Sequence, residues 1–235
     1  MTSAERQAVA LLDIEGTIAD ARFVHDVLFP YARAALPEFV QRHVENPAVR
    51  AELEATAEAA DLQPDDLDGI LDQLVAWIDA DVKATPLKSL QGMIWREGYR
   101  RGEFTAHLYD DAYRWMSRAH EAGIPLYIYS SGSVEAQQLY FAHTTHGDLG
   151  GWLAGHFDTR TGPKKVADSY RAIAERIGLQ ADAIRFYSDV AEELDAAAEA
   201  GCRTVHLRRD GQPSTGRHAE APDFSELPLP GEDPR

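Results

Sequence analysis

Residues 9–17 read Val-Ala-Leu-Leu-Asp-Ile-Glu-Gly-Thr, an unbroken apolar run that ends in two carboxylates and a glycine. A run this short, bounded by Gly16, reads as a buried strand, so the carboxylates emerge at its C-terminal end. That is the end at which open α/β sheets place their ligands. Asp13 and Glu15, two apart on a strand end, point to the same side, and Gly16 lets the backbone turn sharply beside them. Such a pair can attack an electrophile and shuttle a proton while holding a divalent cation. The same residues also suit a plain exposed turn, and the pentapeptide alone does not separate the two.

The chain that follows divides into two patterns. From about residue 20 to 104 no strand is evident. Phe23, Val24, Val27, Leu28 and Tyr31 recur at helical spacing, followed by the Ala/Glu-rich stretch 48–60 and then Leu67, Ile70, Leu71, Leu74, Ile78 and Val82. Breaks between these helices are expected at Pro37, Pro47, Pro64 and Pro86. From about 105, helix and strand alternate. A helix over 108–122 stops at Gly123, residues 124–129 read as a strand, and Ser133 is placed to cap a further helix. A helix over 166–177, a strand over 184–187, a helix over 190–200 and a strand over 203–207 complete the series. This order implies parallel pairing with right-handed crossovers. An α/β fold is therefore expected, its parallel sheet interrupted after the first strand by an all-helical insertion. The segment from Arg208, with Pro213, Pro222, Pro228, Pro230 and Pro234, lacks periodicity and reads as an extension that hugs the surface or moves freely.

With 39 acidic against 23 basic residues among 235, the net charge of −16 opposes binding to nucleic acid or to an anionic membrane. A small anionic substrate would need a local positive centre, either a lysine or a metal ion. The single cysteine, Cys202, rules out an internal disulfide and a cysteine-cluster zinc site, and its apolar neighbourhood suggests a buried thiol. His143 and His146 lack a third ligand at tight spacing. No apolar stretch reaches membrane-spanning length and Met1–Arg6 carries no long apolar segment, so the cytoplasm is the expected compartment.

Three more stretches sit at or between strand ends: Ser130-Ser131-Gly132, Lys164 after Gly162-Pro163, and Ser188-Asp189 with Glu192 and Glu193 beyond. Each has an ordinary reading, as a turn, a solvated lysine and a helix cap. Taken in order, an Asp with a second acid two residues on, a Ser, a Lys and a final acid form the motif series of the haloacid dehalogenase-like phosphotransferases. The resemblance narrows further. Asp-Ile-Glu-Gly-Thr with Glu in third place, the run Phe23–Ala32, Lys88–Trp95 with Gly98-Tyr99, Tyr129–Gln137, Phe157-Asp158-Thr159, and Ser188-Asp189-Val190 followed by Glu193–Ala197 are similar to the enolase-phosphatase E1 family. The similarity covers about residues 8–207. Two departures stand out: Val166 replaces a common Glu, and Ile18-Ala19-Asp20 replaces small polar residues. The spacing from Gly162 and to Ser169 favours Lys164 over Lys165 as the motif lysine.

The resemblance implies a core of Rossmann type formed by residues 1–20 and 105–208 and a helical cap over 21–104 that closes over the site; residues 209–235, beyond the similarity, are expected to be a mobile extension. It implies one Mg²⁺ per subunit, held by Asp13 and Asp189 with the backbone carbonyl of Glu15, Asp13 as nucleophile and Glu15 as proton carrier. Lys164 would neutralise charge, and Ser130 and Ser131 would hold phosphate oxygens near a helix N-terminus. The implied substrate is 2,3-diketo-5-methylthiopentyl-1-phosphate, enolised and then dephosphorylated to the acireductone of methionine salvage. Phe23, Trp95 and Tyr99 are candidates for its thioether end, and Lys83, Lys88 and Gln91 for its carbonyls. The partner expected is this small molecule alone, with no nucleic acid and no membrane, and the protein is expected to be a monomer. A sugar-phosphate or nucleotide phosphatase of the same fold is the alternative.

Overall fold

The computed structural model describes residues 8–209, 211, 214 and 216–232. Met1–Arg6, Pro213 and Pro234 lie outside the described residues. The chain forms two compact units, one of Met1–Ala21 with Ala106–Arg235 and one of Arg22–Thr105.

The first unit is built on a six-stranded, all-parallel sheet of β1 (Val9–Leu12), β2 (Leu126–Tyr129), β3 (Leu153–Phe157), β4 (Ile184–Ser188), β5 (Arg203–Leu207) and β6 (Ala219–Ala221), in the order β3-β2-β1-β4-β5-β6. Every residue of β1 is buried, as its unbroken apolar sequence requires of a strand covered on both faces. The chain runs from β1 to β2 and β3 on one side and then crosses to β4 on the other. The point of reversal thus falls between β1 and β4, where a parallel sheet opens a crevice beyond its strand ends. Leu12 pairs with Tyr187, so Asp13 and Ser188-Asp189 leave the sheet side by side.

Helices of this unit are α5 (Asp110–Glu121), α6 (Val134–Ala142), α7 (Ala167–Ile177) and α8 (Ala191–Glu199). Ser133 caps α6 through its hydroxyl, which accepts from the Ala136 amide at 3.2 Å, and Gly178 closes α7 at φ +76°. Leu11, Tyr129, Tyr170, Ile173, Phe186 and Leu194 pack the core against α7 and α8, with Cys202 buried at its edge. Burial pushes the Cys202 thiol up to about 12, so it is inert.

The second unit is helical throughout: a π-helical turn over Val24–Leu28 leads into α1 (Phe29–His43), followed by α2 (Pro47–Ala60), α3 (Leu67–Asp79) and α4 (Thr85–Arg101). Its own core contains Leu36, Phe39, Val40, Leu53, Ile70, Leu74, Leu90 and Ile94. Pro47 and Pro86 lie in first turns, where no amide partner is needed, but Pro37 lies inside α1 and does not break it. Pro37 is on the solvent side and Arg33, whose carbonyl it leaves without an amide, is also exposed, so water can replace the lost bond. The buried face of Ala32, Leu36, Phe39 and Val40 holds the helix.

Besides the unbroken helix at Pro37, three features depart from the sequence reading. Residues 124–125 precede the strand, because Pro125 has no amide for the ladder; its carbonyl instead accepts from Ala10 at 3.1 Å. β3, which was not foreseen, contains Gly155, where a Cβ would press on the Tyr127 ring at 3.1 Å. The C-terminal segment, expected as a surface-hugging or mobile extension, supplies β6 and places Phe224 in the core at 1% exposure. Its ring packs 5.1 Å from Trp115 and 5.5 Å from Tyr187, and the Trp115 indole donates to the Leu227 carbonyl at 3.2 Å. Phe224→Ala should therefore cost about 3–5 kcal/mol in urea unfolding; a loss under about 0.5 kcal/mol, typical of a surface position, would show that this segment does not support the core.

Candidate active site

The backbone between β1 and the next helix turns within six residues. The amides of Thr17, Ile18 and Ala19 all donate to the Ile14 carbonyl at 2.9–3.2 Å, and Gly16 donates to Ala19 at 2.8 Å. Gly16 sits at φ +77°, and a Cβ there would fall inside the Asp189 carboxylate. No other residue fits that position. This turn buries Asp13 and Thr17 and leaves the Glu15 side chain exposed at its tip.

Thr17 joins the two strand ends. Its hydroxyl lies 3.1 Å from Asp13 Oδ2 and 3.4 Å from Asp189 Oδ1, and accepts from the Asp189 amide at 3.0 Å. Lys164 enters from the loop after β3. Its ammonium lies 2.5 Å from Asp13 Oδ1 and 2.5 Å from Glu193 Oε2, with the side chain only 11% exposed. The loop is held by Tyr129, which donates to the Gly162 carbonyl at 2.9 Å, and by Tyr170, which donates to the Lys164 carbonyl at 2.7 Å. Lys165, by contrast, is 63% exposed and pairs loosely with Glu192.

Ser130 continues β2, next to β1, and is buried, whereas Ser131 is exposed. The Ser130 amide donates to Phe157, and its hydroxyl accepts from Gly132 at 3.3 Å. Gln137 braces this loop from α6. Its Nε2 donates to the Gly132 and Phe157 carbonyls, both at 2.8 Å, leaving Oε1 to face His156 Nδ1 at 3.2 Å. Asp158 takes the Val134 amide at 3.2 Å at the start of α6.

Three carboxylates around one ammonium leave an excess of negative charge. Burial and the nearby Asp13 push Asp189 up to about 6. The same two causes raise Glu193. Burial alone would pull Lys164 down, but Asp13 and Glu193 outweigh it and hold the ammonium above the usual lysine range. Such a centre suits a phosphate dianion only with further positive charge. Asp13 and Asp189, brought together at the Thr17 hydroxyl, offer hard carboxylate oxygens, which fit Mg²⁺; that ion keeps several waters and needs few protein ligands. Among the described residues no three His, Cys, Asp or Glu side chains converge as a metal-binding group.

Of the residues singled out in the sequence, Asp13, Lys164 and Asp189 are in one cluster, and Ser130 stands at the same sheet end. Glu193, Thr17 and Gln137 were given no role. Glu193 could have been found: with Leu194 and Ala197 it shares the buried face of α8, where an acid needs a partner. Among the residues suggested for the organic part of a substrate, Tyr99 and Gln91 are buried in the helical unit, and Tyr99 packs 4.5 Å from Phe104. Trp95 stacks on Phe29 and donates to Leu28, Phe23 is half-buried, and Lys83 and Lys88 are exposed.

Residues 8–201 match the haloacid dehalogenase-like hydrolase family. An enolase-phosphatase E1 from Xylella fastidiosa (strain M23) is 48% identical over 93% of this chain and 97% of its own length. One from Methylococcus capsulatus is also 48% identical, over 92% and 96%. Among solved structures, the UTR4 protein of Saccharomyces cerevisiae superimposes with a TM-score of 0.80 at 32% identity, covering 94% of this chain and 100% of that one. The parallel sheet, the cluster at its switch point and this degree of identity over nearly the whole chain agree: it belongs to the enolase-phosphatase E1 family of haloacid dehalogenase-like hydrolases.

Proposed function

We propose that this protein is a Mg²⁺-dependent enolase-phosphatase that converts 2,3-diketo-5-methylthiopentyl-1-phosphate to 1,2-dihydroxy-3-keto-5-methylthiopentene, the acireductone synthase step of methionine salvage. The observation that carries the phosphatase half is the buried Lys164 ammonium, held between Asp13 and Glu193 and joined through Asp13 to Thr17 and Asp189. Near-half identity to enolase-phosphatases over more than nine-tenths of the chain supports the substrate.

The chemistry is assigned as follows. A base takes a proton from C1 of the substrate and the C2 carbonyl oxygen gains one, which gives the enol phosphate. Asp13 Oδ then attacks phosphorus, the bond from phosphorus to the enol oxygen breaks, and Glu15 delivers a proton to that oxygen. Water, losing its proton to Glu15, then attacks the aspartyl phosphate, which releases phosphate and restores Asp13. Lys164 offsets charge on Asp13 as the dianion approaches, and Ser130 and Ser131 offer hydroxyl and amide donors to phosphate oxygens beside the N-terminus of α6. Held by Asp13, Asp189 and the Glu15 carbonyl, Mg²⁺ would supply the remaining positive charge at the phosphoryl group.

Turnover of the diketo phosphate, with enol absorbance and phosphate release recorded separately, tests the proposal; sugar phosphates and nucleotides form the comparison panel. Faster phosphate release from a panel member than from the diketo phosphate would favour the alternative of a phosphatase of different specificity.

The neighbouring lysines separate cleanly. Lys164→Ala should lower kcat/KM for phosphate release by about 10²–10³, whereas Lys165→Ala should stay near wild type; equal small losses would reverse the assignment.

Metal binding should be visible in stability. In the metal-free protein Asp189, at about 6, binds a proton more tightly than an unfolded carboxylate at about 3.9. It thus favours folding below about pH 4, and that support is lost as pH rises through 6. Thermal unfolding should show Asp189→Asn gaining on wild type between pH 4 and 6. Mg²⁺ should raise the wild-type Tm more at pH 7.5 than at pH 5, because protons compete for the ligand. An equal Mg²⁺ response in Asp189→Asn would exclude Asp189 from the metal site.

A further inference from the structure

Arg209 lies two residues beyond β5 and has only 10% of its side chain exposed. The guanidinium reaches back to the turn that carries Asp13. Its Nε donates to the Thr17 carbonyl at 2.5 Å, while its two terminal nitrogens take both oxygens of Asp111 at 3.2 and 2.7 Å. Its central carbon stands 4.0 Å from the Tyr109 ring centre. All three guanidinium nitrogens are therefore engaged, in an arrangement that a lysine could not reproduce.

Thr17 is the residue whose hydroxyl spans Asp13 and Asp189. Its own amide, with those of Ile18 and Ala19, is directed inward at Ile14, and its carbonyl is directed to Arg209. A second contact from the same part of the chain points the same way. His206, 2% exposed near the end of β5, meets the Asp189 carbonyl through Nε2 at 3.1 Å. The exit of β5 thus holds the backbone beneath both residues that the Thr17 hydroxyl and amide contacts connect.

We propose that Arg209 is a positioning residue for phosphoryl transfer: by fixing the Thr17 carbonyl it fixes the Thr17 hydroxyl, and with it the placement of Asp13 against Asp189. The inference rests on the phosphatase reading above. It gives the C-terminal segment a role in the site as well as in the core, since Asp111 also accepts the Phe224 amide at 2.9 Å.

The test compares Arg209→Ala and Arg209→Lys with Arg217→Ala. The last removes a pair with Asp195 at 2.5 Å that ties down the same segment without contacting Thr17. The readouts are kcat and KM for phosphate release, Tm, and amide hydrogen exchange at residues 14–19 of the metal-free protein. Arg209→Ala should lose about 10–100-fold in kcat, the scale of a misplaced reacting group, with KM changed less than about threefold and faster exchange at 17–19. Arg209→Lys, which keeps the charge without the fork, should recover only part of kcat. Arg217→Ala should keep wild-type kcat and exchange even where its Tm falls. Wild-type kcat in Arg209→Ala, or in Arg209→Lys if the alanine variant does not fold, would overturn the proposal. So would a loss of kcat in Arg217→Ala that tracks its Tm. If the wild-type protein releases no phosphate, the phosphatase reading fails instead, and exchange at 17–19 decides the positioning claim alone: faster exchange in Arg209→Ala but not in Arg217→Ala supports it, and unchanged exchange overturns it.

Discussion

An ammonium held 2.5 Å from each of two carboxylates, with little access to water, persists only because both partners supply the charge that hydration no longer does. Lys164 sets this condition for the whole centre. Placing it requires Asp13 at the end of a fully buried strand and Glu193 on the inner face of α8. It also needs the loop carrying Lys164 to be pinned by Tyr129 and Tyr170. Removing one partner would leave a buried charge uncompensated, so these elements depend on one another more strongly than their individual contacts suggest. Lys164 pairs with Asp13 and Glu193 and not with the remaining acid, Asp189, whose pKa is raised by burial first and then by the nearby Asp13.

The sheet converts that electrostatic requirement into geometry. With β1 central and the strand order reversing between β1 and β4, two acids distant in sequence leave the sheet next to each other. Gly16 then allows Asp189 to approach the Asp13 turn where any side chain would collide. The edges serve this centre indirectly. β6 covers the β5 edge and brings Phe224 under Trp115 and Tyr187, while Arg209, between the two strands, reaches the carbonyl of Thr17.

The parts of this arrangement that could be read from the sequence are those where one local rule dominates. Val9–Leu12 and Ile184–Tyr187 are strands because apolar runs that short have few alternatives, and the helices of 22–105 follow a period of 3.6. Asp13, Lys164 and Asp189 were legible through their order along the chain, which matches a family pattern. Glu193 was named beside Asp189 but given no role, because an acid in an Ala/Glu-rich helix resembles a solvated one unless its face, shared with Leu194 and Ala197, is read as buried. β3 and β6 were obscured by Gly155 and by the short Ala-Glu-Ala run, whose strand character comes from an open neighbouring edge and not from intrinsic preference. Pro37 shows the reverse case, a strong local breaker overruled by the buried face of its helix.

The proposed covalent nucleophile is Asp13, with Lys164 and Asp189 arranged around it. Enolisation needs a base and an electrophile near the substrate carbonyl, whereas phosphate release needs the Asp13 carboxylate itself. Stopped-flow absorbance for the enol, run with a coupled phosphate assay on Asp13→Asn at saturating Mg²⁺, separates the two. This variant should still form the enol phosphate and release almost no phosphate. Phosphate release at a near wild-type rate would contradict the nucleophile assignment.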